Sequence, residues 1–321
     1  MRSVRNIYIL FWISLITSVL AQNFYDSDPH IIELTTKNFD QVIHNTNYTS
    51  LVEFYAPWCG YCKKLKPTMH KVAKKLGGTI QVATVNCDLQ KNKQLCSQHQ
   101  IQGFPTLMIF TPPKLSLQKK MKESGESTKH FNEPYNGERS LSYITDFALS
   151  RMKTYVKKLV HMDKLKAVLD KSSKTKRFSV LLFSKNDKIT PMFKSMAIDW
   201  LDKCDFYQFH NKKLSKLTSG NELFISYPHI STSLNDLLES QSKSSKSKLV
   251  ILDGLQDEIY VFEGQQINKV EVANFISDTL DILPREGPLS KRHNFLKILQ
   301  SGKKSKPSKS HKKSQSKHDE L

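Results

Sequence analysis

Long apolar stretches are what this sequence most lacks. Beyond its first 20 positions, none of its 321 residues fall in a run apolar enough to span a bilayer, which takes about 20 such residues in succession. A membrane-spanning segment in the mature chain is therefore not expected. Acid is scarce too: 30 Asp and Glu stand against 49 Lys and Arg, a formal charge of +19. Cysteine is sparse, with five in the chain and one Cys-x-x-Cys pair, Cys59 and Cys62. A structural zinc site needs four ligands. No second such pair or His pair supplies them, which argues against metal.

The basic excess could suggest a nucleic-acid partner, but much of it is local. Ser301 to Lys317 carries seven lysines and no acid. A Lys/Ser run of that kind cannot bury a core and is expected to be disordered. The two ends carry the stronger information. Arg2 and Arg5 precede an apolar run from Ile7 to Leu20, followed by Ala21, which reads as a secretory signal cut before Gln22. The last residues are His318, Asp319, Glu320 and Leu321, a receptor-read retention signal for the endoplasmic reticulum. Both place the chain in an oxidising lumen, where nucleic acid is not an expected partner. There the sequon Asn47-Tyr48-Thr49 is expected to carry a glycan.

Strand-like and helix-like segments alternate through the chain. Strands are expected at Ile31–Leu34, Ser50–Ala56, Ile80–Asn86, Thr106–Phe110 and Glu133–Asn136, with helices at Asn38–His44, Cys59–Leu76, Lys91–Gln98 and Leu141–Met152. Leu65, Met69 and Val72 mark one face of the Cys59–Leu76 helix, which Pro67 should kink. The Lys-rich stretch from Thr111 to Lys129 reads as an exposed loop. A second region repeats the order less clearly. It has strands at Tyr155–Val160, Phe178–Phe183, Phe206–Phe209, Leu249–Leu252 and Glu258–Phe262, and helices at Lys164–Asp170, Pro191–Lys203 and Lys269–Leu280. Ser240–Ser247 reads as a loop and Phe295–Leu299 as a short helix. The fold class is α/β, two tandem domains with a central mixed sheet flanked by helices.

Cys59 and Cys62 follow a strand and open a helix. The unpaired N–H groups and dipole of a helix start favour negative charge, so the Cys59 thiol should ionise more easily. A thiolate attacks disulfide sulfur. Cys59 then reads as the nucleophile, and Cys62, one turn on, as the resolving thiol.

The run Glu53-Phe54-Tyr55-Ala56-Pro57-Trp58-Cys59-Gly60-Tyr61-Cys62-Lys63-Lys64-Leu65 resembles the catalytic thioredoxin-like domain of protein disulfide isomerases. The layout with a Lys-rich tail resembles a short yeast member of that family. The resemblance implies a signal peptide over 1–21, a catalytic thioredoxin-like domain over 22–152, a redox-inactive one over 153–284, and a tail over 285–321. It implies thiol–disulfide exchange and isomerisation on unfolded or misfolded secretory proteins, with accessory chaperone activity. No bound cofactor is implied; glutathione or a luminal oxidase would be the redox partner. A lectin chaperone is a further partner the resemblance allows, and the tetrapeptide implies its own receptor.

Residue by residue, Pro105 matches the family's cis-proline, so that Phe104 and Pro105, with Trp58, would meet the client. Glu53 matches a buried acid that relays a proton for the resolving cysteine; a carboxyl in an apolar strand should have a raised pKa. Arg139 matches an arginine that eases ionisation of that cysteine. Gly60 and Tyr61 tune the couple. Histidine is usual at position 61, and a neutral phenol adds no charge beside the Cys59 thiolate, so the oxidase–reductase balance is left open.

Cys87 and Cys96 read as a structural disulfide, a second redox pair or two buried thiols. Cys204 is left odd, and reads as a small buried side chain. Trp200, Phe206, Tyr207 and Phe209 read as core. Two rival readings stand beside the enzyme: a non-catalytic chaperone or escort, and a dedicated disulfide reductase.

Overall fold

The computed structural model describes residues 24–25, 28–210, 222–242 and 246–286. The expected signal segment, the 295–299 helix, the basic tail, residues 318–321 and part of the 240–247 loop lie outside the described residues. The chain forms two thioredoxin-like domains, each a five-stranded mixed sheet flanked by helices.

The first domain runs β1 (Ile31–Leu34), α1 (one helical turn, Asp40–His44), β2 (Ser50–Tyr55), α2 (Gly60–Leu76), β3 (Gln81–Asn86), α3 (Lys93–Gln98), β4 (Thr106–Thr111), α4 (Leu115–Glu123), β5 (Phe131–Pro134) and α5 (Leu141–Ser150). The second runs β6 (Val156–Leu159), α6 (Lys164–Thr175), β7 (Phe178–Ser184), α7 (Pro191–Asp199), β8 (Cys204–His210), α8 (Glu222–Ser226), α9 (Pro228–Ser242), β9 (Lys248–Asp253), β10 (Glu258–Val261) and α10 (Lys269–Leu280). The sheet orders are β1-β3-β2-β4-β5 and β6-β8-β7-β9-β10. Strand for strand these are one topology: three parallel strands, then two antiparallel ones.

β2 is the middle strand and all six of its residues are buried. Alternation sends successive side chains to opposite faces. Leu51 and Tyr55 enter the core under α2 and α5 with Leu65, Met69, Val72 and Ile144. Val52 and Phe54 enter the opposite core with Phe39, Val85 and Phe110. Glu53 lies between Leu51 and Tyr55 in this alternation, and so faces the α2 side. α2 remains helical through Pro67 for its full 17 residues.

Two expectations are corrected. The Thr111–Lys129 stretch is not simply loop: it holds α4, whose residues are all exposed or half-buried. α9 was not anticipated, although Ile230, Leu234, Leu237 and Leu238 recur at helical spacing and are buried. Ser, Thr and Asn between them lower local helix propensity and hide the pattern. Trp200, Phe206, Tyr207 and Phe209 all belong to the second domain's core.

The domains meet through buried polar contacts. The Tyr48 hydroxyl of the first domain donates to Asp199 Oδ1 at 2.7 Å. Asp199 Oδ2 also pairs with Lys269 Nζ at 2.8 Å, and Lys269 donates to the Tyr48 oxygen. Nearby, Glu286 accepts from Thr46 Oγ1 at 2.8 Å and from the Asn47 backbone N–H at 2.8 Å.

Candidate active site

β2 ends at Tyr55, and Ala56-Pro57-Trp58 carries the chain across the top of the sheet into α2. Cys59 is the N-cap of α2, in an extended conformation, and no side chain caps that helix start. Cys62 lies one turn in and is fully buried. Both are free thiols. The Cys59 thiol lies 3.5 Å from the Phe104 carbonyl and donates to it. Phe104–Pro105 is a cis peptide, immediately before β4. Arg139 Nη2 donates to the Pro105 carbonyl at 2.9 Å.

The rim is aromatic. Trp58 is 65% exposed and Tyr61 is 70% exposed. The Trp58 ring meets Phe104 edge-on at 6.1 Å, and its Nε1 donates to Asp88 Oδ1 at 3.0 Å. Gly60 has open space where a Cβ would stand.

The two thiols are driven apart in acidity. Burial opposes ionisation of Cys59, but the backbone N–H groups of Cys62 and Tyr61, the Cys62 thiol and the Arg139 charge outweigh it, and the pKa is lowered. Burial dominates at Cys62, and with Cys59 and Glu53 beside it the pKa is pushed up to about 12. One thiol is prepared to attack while the other keeps its proton.

Glu53 is fully buried beneath them. Burial, with the nearby Glu33 charge, raises its carboxyl to about 8, against the opposing pull of Tyr25 and Arg139. Its Oε2 accepts the Tyr25 hydroxyl at 2.7 Å. Its Oε1 is buried with no hydrogen-bond partner. Motif reasoning missed Tyr25 because a lone tyrosine near an N-terminus carries no pattern.

Cys87 and Cys96 are disulfide-bonded. They join the end of β3 to α3 on the sheet face opposite Cys62. Cys204 is a buried free thiol at the start of β8, its pKa pushed up to about 12, chiefly by burial. The expected glycan position is buried in this structure. Asn47 is only 4% exposed; its Nδ2, the atom a glycan would occupy, donates to Glu286 Oε1 at 3.1 Å, and its Oδ1 accepts from Gln118. No glycan fits on that nitrogen while the domains are docked.

Among known proteins, the thioredoxin family model matches residues 30–132. Over 316 residues, 98% of both chains, the sequence is 52% identical to protein disulfide-isomerase MPD1 of Saccharomyces cerevisiae. This chain belongs to the protein disulfide isomerase family. Protein disulfide-isomerase A6 of Mesocricetus auratus is 37% identical over 43% of this chain, though that stretch is 27% of the relative's length. The crystal structure of ERdj5 form II superposes with a TM-score of 0.53 over 79% of this chain and 30% of that one; at 17% identity the likeness is of fold. As a protein disulfide isomerase, the chain is a thiol–disulfide oxidoreductase that acts on other proteins. No helix among the described residues is long and apolar enough to cross a membrane.

Proposed function

We propose that this isomerase works in the lumen of the endoplasmic reticulum on cysteines of folding secretory proteins, with Cys59 as nucleophile and Cys62 as resolving thiol. The observation that carries this is the state of Cys59: a free thiol at an uncapped helix start, its pKa lowered, its sulfur 3.5 Å from the Phe104 carbonyl. An extended client strand laid along the backbone at Phe104 and Pro105 brings a disulfide to that sulfur. The Trp58 ring covers the client's apolar neighbours.

In the first step the Cys59 thiolate attacks one client sulfur. A Cys59–client disulfide forms, the client S–S bond breaks, and the departing client thiolate takes a proton from solvent. Isomerisation follows when another client thiol attacks the mixed disulfide and frees Cys59. Reduction follows when Cys62 attacks Cys59 instead, giving the proton of its thiol to Glu53 and leaving a Cys59–Cys62 disulfide. The Arg139 charge assists both ionisations. No bound cofactor is needed; glutathione or a luminal oxidase resets the dithiol. The retention-signal receptor, reading residues 318–321, and a lectin chaperone complete the proposed partners.

The test is refolding of a scrambled, disulfide-rich client. Cys59→Ser should abolish catalysis, and Cys62→Ser should accumulate Cys59–client mixed disulfides. If Cys59→Ser refolds the client as fast as wild type, the protein acts as a chaperone or escort and not through its thiols. The exposed Trp58 and Tyr61 support an accessory holding activity that survives in both variants.

A further inference from the structure

Glu53 receives its hydrogen bond from an unexpected quarter. The donor is Tyr25, in the segment ahead of β1, and among the described residues no other group donates to that carboxyl. The neighbours that could compete are engaged elsewhere. The Tyr55 hydroxyl donates to Glu33 Oε1 at 3.1 Å, and Thr84 Oγ1 donates to Glu33 Oε2 at 2.7 Å. The Tyr25 ring is 2% exposed and packed from several sides. Tyr55 meets it edge-on at 5.5 Å and His70 at 5.4 Å, while the Lys66 ammonium lies 4.6 Å from the adjoining Phe24 ring. Asp28 contacts His70, tying the same segment to α2.

The two carboxyl oxygens are therefore unlike. Oε2 is held by Tyr25, and Oε1 is buried and unpartnered. A phenol donor stabilises the carboxylate over the acid and fixes which oxygen remains open. We propose that Tyr25 is a positioning residue for the resolving step, favouring the carboxylate form of Glu53 against the burial that opposes it and leaving Oε1 free to take the Cys62 proton. The step balances as follows. The Cys62 S–H proton passes to Oε1, the Cys62 sulfur bonds to Cys59, the Cys59–client bond breaks, and the client thiolate is protonated by solvent. Cys59 and Cys62 are oxidised and the client is reduced.

The groups that act electrostatically on Glu53 come from several elements: Glu33 from β1, Tyr55 from β2, Cys62 from α2, and Arg139 from the β5–α5 connection. The Tyr25 proposal rests on the reading of Glu53 as proton acceptor, and its test separates the two.

The experiment is single-turnover reduction of a fluorescent peptide disulfide by the reduced protein, at saturating peptide, between about pH 6 and 9, bracketing the Glu53 pKa. The second-order phase reports Cys59 attack, and the plateau rate reports release by Cys62. Tyr25→Phe keeps the ring and removes the donor. Loss of one hydrogen bond to a charged group corresponds to about one pH unit. The plateau inflection should move up by that amount, with about ten-fold slower release at neutral pH and an unchanged second-order phase. Glu53→Gln should flatten the plateau profile, and adding Tyr25→Phe should then change nothing. A Tyr25→Phe profile identical to wild type, with Glu53→Gln flattened, overturns the role of Tyr25 alone. A wild-type inflection in Glu53→Gln overturns the reading of Glu53 and the proposal with it.

Discussion

The hydroxyl of Tyr48 in the first domain donates to the carboxylate of Asp199 in the second at 2.7 Å, and Lys269 contacts both residues. All three are buried. Removing one partner of a buried ion pair leaves the other charge uncompensated, at a cost of about 3–5 kcal/mol. Lys269→Met should therefore destabilise the protein by that order in urea titration. Combining it with Asp199→Asn should recover most of the loss. If the double variant is as unstable as the single, the pair is not the source.

Asn47 gives a second prediction across the same boundary. Its amide nitrogen is held by Glu286, so the docked protein should carry no glycan there. Intact mass measured before and after glycosidase treatment decides it. A fully occupied Asn47 in active protein would show that the Asn47–Glu286 contact is not formed in solution.

The raised Glu53 pKa has a definite consequence for stability. The unfolded chain releases this proton near its ordinary value of 4.5, whereas the folded protein keeps it until about 8. Between those limits the folded state binds more protons, so stability falls as pH rises through the window. The integrated effect is on the order of 5 kcal/mol. Glu53→Gln lacks this loss, and its advantage over wild type should grow from pH 5 to pH 8 in parallel urea titrations. A constant difference across that range would contradict the burial-raised pKa.

At Tyr61 the prediction concerns acidity. Tyr61→His places an imidazole beside Cys59 at an exposed rim position. Exposed ion pairs contribute about 0.2–1 kcal/mol, so the Cys59 pKa should fall by less than about one unit. The fall should be seen near pH 6, where imidazole is charged, and should vanish near pH 8. Ultraviolet thiolate absorbance in a Cys62→Ala background reads it directly. An equal shift at both pH values would mean the effect is not the imidazolium charge.

Much of the first domain was legible because local signals agreed. Ser50–Tyr55 has strand length and apolar character, and the Cys-x-x-Cys pair starts a helix with Leu65, Met69 and Val72 on one face. Glu53 stood out as a carboxyl inside that apolar strand. Its hydrogen-bond donor was invisible, because Tyr25 reaches it over 28 residues and through tertiary packing alone. The contacts between the domains were illegible for the same reason. Asp199 and Lys269 look like ordinary surface charges in their helices, and the sequon looks like an ordinary surface turn. Burial turns all three into interface.

The twin topology isolates what makes one domain reactive. In α7 the N-cap Thr190 accepts a hydrogen bond from Phe193 N–H, and Pro191 opens the helix. That backbone donor is satisfied by an uncharged hydroxyl. In α2 the corresponding place is held by Cys59, whose sulfur is neutral as a thiol, anionic as a thiolate and bonded away as a disulfide. Each oxidation strips that helix of an anion it stabilises, a contribution that favours the dithiol form over the disulfide. The redox state of the first domain is thus written at a helix terminus whose charge only the reduced enzyme can supply.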